Sequence, residues 1–530
     1  MLHDWVVIRS LLLLFPVLLN QVVCASDMTS NEVTRVIAQA VSRAQQIEPR
    51  AVIAVVDREG FVLGVWSVDS KPDALAVQDA ITKAGTAAFL SSTHNAFTSR
   101  TAGFIVQQHF PPGVRNRPNG PLVGVNFSNL SFTDVNRFKN PNMGYVANLT
   151  SGINGAAIDG PAPVSGLAGS PGGVPLYRDG KLIGGVGVAG QTRAPEISPI
   201  SALADIQAQS QQGYDPDEDV ALAGQIGFQP KASIFGSGVF IDGIRVPYVK
   251  GGTRLGSVQP LGSIGSSISP FPIVDSPTVS YKKRFFGGQL CEIRAPIIAD
   301  PESGKIHGQR RLSAKEVAMI LSQASARAKT TRGGIRLPSG KAAQTFITVV
   351  NVPALPNKAP AILGTVRTPD ATIFSWDVSV QKARTAVFFS DDTRAFSSRT
   401  VGFLAQEFYP PGIANTAPGP FYSLQEQYSL LPAGLENPLN HVVLTKKYSI
   451  SKPNPHLPNG ITIFPGGFPL YRNGVMIGAI GVSGDGIDQD DLIAAAGTVG
   501  FEAPPDIRAD RQKYQGARLP YAKFPRNPDL

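Results

Sequence analysis

The sequence predicts two tandem α+β domains, each an antiparallel β-sheet flanked by helices. Three observations lead there. Gly172 to Gly190 (GGVPLYRDGKLIGGVGVAG) and Gly466 to Gly484 (GGFPLYRNGVMIGAIGVSG) are identical at 12 of 19 positions. A period of roughly 290 residues is far longer than a solenoid repeat, so each copy is a domain with its own core. Each copy also opens on a capped amphipathic helix, and each then alternates hairpins with helices. That order suits an antiparallel sheet with helices packed on it.

Further pairs extend the duplication. Ser99 to Phe104 (SRTAGF) returns as Ser398 to Phe403 (SRTVGF), Phe110 to Gly113 as Tyr409 to Gly412, and Gly243 to Tyr248 (GIRVPY) as Gly516 to Tyr521 (GARLPY). The units accordingly run over 29–250 and 311–524, with a Gly, Ser and Pro-rich linker at 251–310. Thr29-Ser30-Asn31-Glu32 and Ser313-Ala314-Lys315-Glu316 are capping boxes, in which hydroxyl and carboxylate satisfy the free amides of a first helical turn. Val33, Val36, Ile37, Ala40 and Ala44 then recur at helical spacing, as do Val317, Ile320, Leu321, Ala324 and Ala328.

A hairpin follows, with β-rich runs Ala51 to Val56 and Phe61 to Val68 around Asp57-Arg58-Glu59-Gly60; its counterpart has a longer turn, Asn351 to Pro360. The next helix, Val77 to Leu90, contains Lys83-Ala84-Gly85-Thr86-Ala87, mirrored by Lys382-Ala383-Arg384-Thr385-Ala386. Lysines among small helix formers are expected to snorkel at the surface. The second hairpin turns on Asp179-Gly180 or Asn473-Gly474, pairs suited to the two positive φ values of a type I′ turn. Asp217 to Gly224 and Asp490 to Gly497 form a closing amphipathic segment.

With 42% apolar and 16% charged residues, the 530-residue chain is globular rather than disordered. Arg9 before the apolar run Leu11 to Leu19, and the small residues around Cys24-Ala25, read as an export signal over 1–25. A periplasmic or secreted destination is expected. Pro16 and the shortness of the run argue against a membrane span, which needs about 20 apolar residues. Signal removal leaves one cysteine, Cys291, so no internal disulfide is available. The net charge of +9 is scattered rather than grouped, which argues against a nucleic-acid partner. Asn126, Asn129 and Asn148 begin glycosylation sequons, relevant only in a eukaryote.

Ala54-Val55-Val56-Asp57-Arg58-Glu59-Gly60, Lys83 to Ala87, Asn95-Ala96-Phe97-Thr98-Ser99 and the GGVPLYRDG hairpin together resemble the GlcG/HbpS family of heme-binding proteins, also labelled a heme-degrading domain. The resemblance covers the regular elements of both units. It implies a profilin-like fold, heme or a related tetrapyrrole as ligand, and oligomers, of which a tandem chain is a covalent version. The family's heme-contacting threonine carries over to Thr98, with Ser397 in unit two. Its iron-linked acidic pair falls on Gln78 and Ile81, and on Asp377 and Val380, so no metal site is expected.

A heme needs an apolar slot, cations for its propionates and, in many proteins, an axial ligand. Unit one offers His94, Thr98, Arg100, Phe104 and His109; unit two offers Ser397, Arg399 and Phe403, with Thr393 and Phe408 at the histidine positions. The plain alternatives are a solvated loop for His94, a helix end for His109 and structural salt bridges for the arginines. Gly185 to Gly190 fits GxGxxG but lies in a hairpin arm with no helix after it. A dinucleotide site is therefore excluded, and the glycines serve close packing or ligand approach. The inserts Val114 to Pro171 and Ile413 to Pro465 are expected either to form lids or to cover the seam between units or contact a partner. Three functions stay open: an exported heme binder, an enzyme degrading heme or acting on a small metabolite in the same pocket, and a non-catalytic scaffold.

Overall fold

The computed structural model describes residues 27–107, 109–135, 168–190, 213–425 and 457–523, apart from 70–71, 73, 113, 115–118, 126–127, 130–132, 339, 356–357 and 423. The export signal read at 1–25 and much of both inserts lie outside the described residues. In unit one, α1 (Ser30–Ile47) starts from the Thr29 capping box and buries Val33, Val36, Ile37, Ala40 and Ala44. Strands β1 (Val52–Asp57) and β2 (Val62–Ser67) form the first hairpin, followed by α2 (Ala74–Leu90) and the short α3 (Ser99–Ile105). The second hairpin is β3 (Gly173–Arg178) and β4 (Lys181–Ala189), and α4 (Pro216–Gly224) follows. Two-residue strands β5 (Phe240–Ile241) and β6 (Ile244–Arg245) precede β7 (Ser266–Ser267), which completes a five-stranded sheet of order β3-β4-β1-β2-β7. Its pairs are antiparallel.

Unit two repeats this with β8 (Lys283–Phe286), β9 (Gln289–Ala295), α5 (Ala314–Thr330), β10 (Phe346–Asn351), β11 (Ile362–Arg367), α6 (Phe374–Phe388) and α7 (Ser398–Leu404). Then come β12 (Gly467–Arg472), β13 (Val475–Ser483), α8 (Ile487–Gly497), and the two-residue β14 (Lys513–Tyr514) and β15 (Ala517–Arg518). The sheet order is β12-β13-β10-β11-β9-β8, again antiparallel. The expected turns hold: φ is 51° and 74° at Asp179-Gly180, and 48° and 82° at Asn473-Gly474.

The stretch 251–310, expected to be an aperiodic linker, extends both sheets: β7 pairs with β2, and β9 pairs with β11. Its glycines include the turn of a hairpin. Gly287 and Gly288, at φ 55° and 73°, join β8 to β9. Composition alone hid this because the β-rich run is short and half exposed.

Period-two alternation splits β1 between two cores. Ile53 and Val55 pack with α1 and α4, whereas Val52, Ala54 and Val56 pack with α2 in a cluster that continues into unit two. The units are thus fused through their α2 and α6 sides. Polar contacts reinforce the seam. Arg384 on α6 forks onto Asp134 of the first insert at 2.9 and 2.8 Å, a two-point geometry suited to guanidinium and carboxylate. Asn129 donates its backbone N–H to Asp377 at 2.7 Å, and Gln425 of the second insert reaches the Gly124 carbonyl. The described insert residues therefore cover the seam.

Candidate ligand-binding site

Each unit places the expected hydroxyl at the N-cap of its short helix. Thr98 accepts from the Thr101 N–H, and Ser397 from the Thr400 N–H. Both hydroxyls also donate outward, Thr98 to the Tyr248 carbonyl at 2.5 Å and Ser397 to the Tyr521 carbonyl. Those carbonyls belong to the repeated Gly-x-Arg-x-Pro-Tyr strap, which also takes the Thr101 and Thr400 hydroxyls at Pro247 and Pro520. Thr98 and Ser397 are 1% and 0% exposed, so each strap covers the position expected to face a ligand.

The two arginines differ. Arg100 is wholly buried and forks onto Glu218 at 2.8 and 2.9 Å, and Glu218 also accepts the Lys250 N–H. Arg399 meets two shorter acids, Asp491 through Nε at 2.9 Å and Asp488 through Nη2 at 2.7 Å, and its side chain stays 20% exposed. Burial pushes Asp488 up, but Lys523 and Arg399 outweigh it and hold this carboxyl below its usual range. Phe104 packs edge-on against Phe110, and Phe403 against Tyr409.

His94 lies in the loop between α2 and α3. Its loop is tied to unit two through Ser92 and Asn95, which donate to the Arg336 and Ile335 carbonyls. Burial, with Lys341 nearby, lowers the His94 pKa. His109 is nearly buried and lies 3.2 Å from Glu407 across the seam. Among the described residues no group of three or more His, Cys, Asp or Glu is placed to hold a metal ion. No helix there is long and apolar enough to cross a membrane.

The expectation for Lys83 and Lys382 needs correction: they are 2% and 1% exposed. Lys83 donates to Asp217 at 2.9 Å and to the Val188 carbonyl, with Asp79 at 3.0 Å; Lys382 donates to Asp490 and the Val482 carbonyl, both at 2.8 Å. The small residues around each lysine bring its helix so close to the hairpin that the side chain cannot reach water. Burial works to lower the Lys83 pKa, but Asp217, Asp79 and Asp215 outweigh it and hold it above the usual lysine range. Val378 stands four residues before Lys382, where Asp79 precedes Lys83. Burial therefore prevails over Asp490 and Asp491 and holds Lys382 below its usual range, and it raises Asp490 to about 6.

The hairpin glycines serve this approach. A Cβ at Gly173 or Gly467 would stand 2.2 Å from the lysine carbonyl, and one at Gly187 2.1 Å from the Ala80 carbonyl. Close packing, rather than a phosphate loop, explains GxGxxG.

Sequence reasoning missed an open cleft of about 880 Å³ in unit two, lined by Arg399 and Phe403 from α7, by Arg508 and Asp510, and by the strap from Arg518 to Lys523. The signal was present in the repeated strap, read only as a boundary marker. The cleft has the size of a small-molecule site, with aromatic walls for a ring and cations for acidic groups. That suits a heme's plane and propionates, and none of the lining residues is a histidine, cysteine or methionine.

The family profile described as haem degrading protein HbpS-like matches residues 28–197 and 354–498, more than half the chain and both units. The chain belongs to this family. Membership relates it to heme, and two tandem copies of the family's domain account for its duplication. Three solved structures are similar in part. The PduOC:heme complex is 21% identical over 37% of this chain and 98% of its own, with a TM-score of 0.23. Klebsiella pneumoniae protein ORFY is 19% identical over 38% and 90%, at 0.21. A double mutant of Streptomyces reticuli HbpS is 18% identical over 39% and 97%, at 0.22. No curated protein matches the chain. The straps at 243–248 and 516–521 lie outside both family-matched ranges.

Proposed function

We propose that this is an exported heme-binding protein that sequesters, carries or senses heme or a related tetrapyrrole. The observation that supports the reading is the match to a heme-linked family in both copies. The aromatic and cationic cleft of unit two offers a ligand of that shape a place to lie.

The test is a titration of the chain from Ser26 onward with hemin, following the Soret band. A saturable shift at one or two hemes per chain is the expected result. Spectra that match hemin in buffer at every ratio would overturn the reading. The family's description as heme-degrading favours a second reading, oxidative breakdown. Adding a reductant to the loaded protein separates the two: binding alone preserves the porphyrin, whereas degradation yields a linear tetrapyrrole.

A further inference from the structure

The two units differ at one place where duplication should have left them alike. Two parallel bridges define the equivalence, Ala96 with Phe235 and Ala395 with Arg508. In unit one Phe235 stacks on Tyr248, with centroids 4.6 Å apart and planes 15° apart, and Arg100 is sealed from solvent. In unit two the same position is Arg508, whose guanidinium lies 5.0 Å from the Tyr521 ring centre. The aromatic stack is exchanged for a cation beside an open cleft.

The hydrogen bonds of that cleft are incomplete. Arg399 uses Nε and Nη2 on Asp491 and Asp488, and Arg508 uses Nε and Nη2 on Asp510. Arg518 donates Nε to the Asp510 carbonyl, and Lys523 gives one hydrogen bond to Asp488. Among the described residues, the Nη1 group of each of these arginines has no protein partner. Asp488 is shared by Arg399 and Lys523, and the Asp510 carboxylate by Arg508 and, at 3.7 Å, Arg518, so four cations face Asp488, Asp491 and Asp510. A guanidinium with a spare edge beside an aromatic wall suits a carboxylate on a flat ring system.

We infer that the unit-two cleft binds one planar aromatic ligand carrying two or more acidic groups. Phe403 and Tyr521 would contact its ring, and Arg508, Arg518 and Lys523 its acidic groups. Unit one, closed by Phe235, takes none there. This deepens the heme reading and rests on it only for the ligand's identity, because any flat polyanion of this size meets the same groups. Arg508, Arg518, Tyr521 and Lys523 all lie beyond the family-matched residues.

The experiment compares the mature chain with two variants, Arg508→Phe and the pair Arg518→Gln with Lys523→Gln. Arg245→Gln with Lys250→Gln is the charge-matched control in unit one. Circular dichroism and thermal unfolding check the fold. Arg508→Phe installs the residue unit one already carries; should it misfold, the exposed Arg518 and the partly exposed Lys523 carry the test. The probes are hemin, hemin dimethyl ester, and fluorescein as a metal-free dianion with a flat xanthene ring.

The expected result is one site per chain, weakened about tenfold or more in both unit-two variants, as loss of charge-assisted hydrogen bonds implies. The ester should bind more weakly than hemin, and the unit-one control should bind normally. Hemin binding at full affinity in both unit-two variants would overturn the cleft and leave the heme reading standing. Fluorescein binding that those variants abolish, with no binding of hemin to the wild type, would uphold the cleft and remove heme. Binding of neither hemin nor fluorescein to the wild type would overturn both.

Discussion

Replacing Lys382 by Met tests the account of the buried lysine through its pH dependence. The substitution leaves an unbranched side chain one heavy atom shorter and removes both hydrogen bonds, to Asp490 and to the Val482 carbonyl. Orphaning one partner of a buried ion pair costs about 3–5 kcal/mol. The pH sensitivity follows from Asp490, whose pKa in the folded protein is about 6 against an ordinary 3.8. Without the lysine that pKa rises further. Below pH 6 the carboxyl is neutral in both proteins, and the penalty is flat. Above it the wild-type carboxyl is ionised while the variant still binds a proton, so the penalty grows by about 1.4 kcal/mol per pH unit. Growth stops at the variant's own pKa. Urea unfolding at pH 5, 7 and 8, followed by Trp376 fluorescence from the same helix, measures this provided the m-value holds. Adding Asp490→Asn should recover most of the loss. A penalty under about 1 kcal/mol at pH 7, or one unchanged from pH 5 to 8, would refute the reasoning.

Two further substitutions address other links. Asp57 accepts the Glu59 and Phe61 N–H groups through a single oxygen, and burial raises its pKa to about 8. Because the folded state holds an extra proton, this group's contribution to stability is full below pH 4 and falls as pH rises toward 8. The limit is about 1.4 kcal/mol per unit. Asp57→Asn keeps both turn hydrogen bonds, and its unfolding free energy should vary less with pH than that of the wild type; equal slopes would count against the buried carboxyl. Gly467→Ala drives a Cβ to 2.2 Å from the Lys382 carbonyl, whereas Gly238→Ala meets nothing within 4 Å. Calorimetry should find the first destabilised by about 3 kcal/mol and the second near wild type, as overpacking against backbone predicts.

What the sequence determined by itself is local or repeated. Capping boxes, I′ turns and alternating strands act within a few residues, so the helix starts at Ser30 and Ala314 and the turns at Gly180 and Gly474 were legible without a partner. The duplication was legible because two copies of one pattern need no outside reference. The tertiary structure decided what depends on distant partners. Lys83 and Lys382 looked like surface residues because the aspartates that accept their hydrogen bonds, Asp217 and Asp490, lie 134 and 108 positions away. Gly287-Gly288 sat in a stretch read as linker, although it turns a hairpin that finds its sheet at β11. The hydroxyls of Thr98 and Ser397 were legible as a repeated pair, but only folding shows each capping a short helix and covered by its strap. The cleft depends on the same long reach. Arg399 and Arg508 come together because Arg508, ahead of the C-terminal strap, bridges to Ala395 just before α7, and a residue's chemistry is set by the groups that packing places against it.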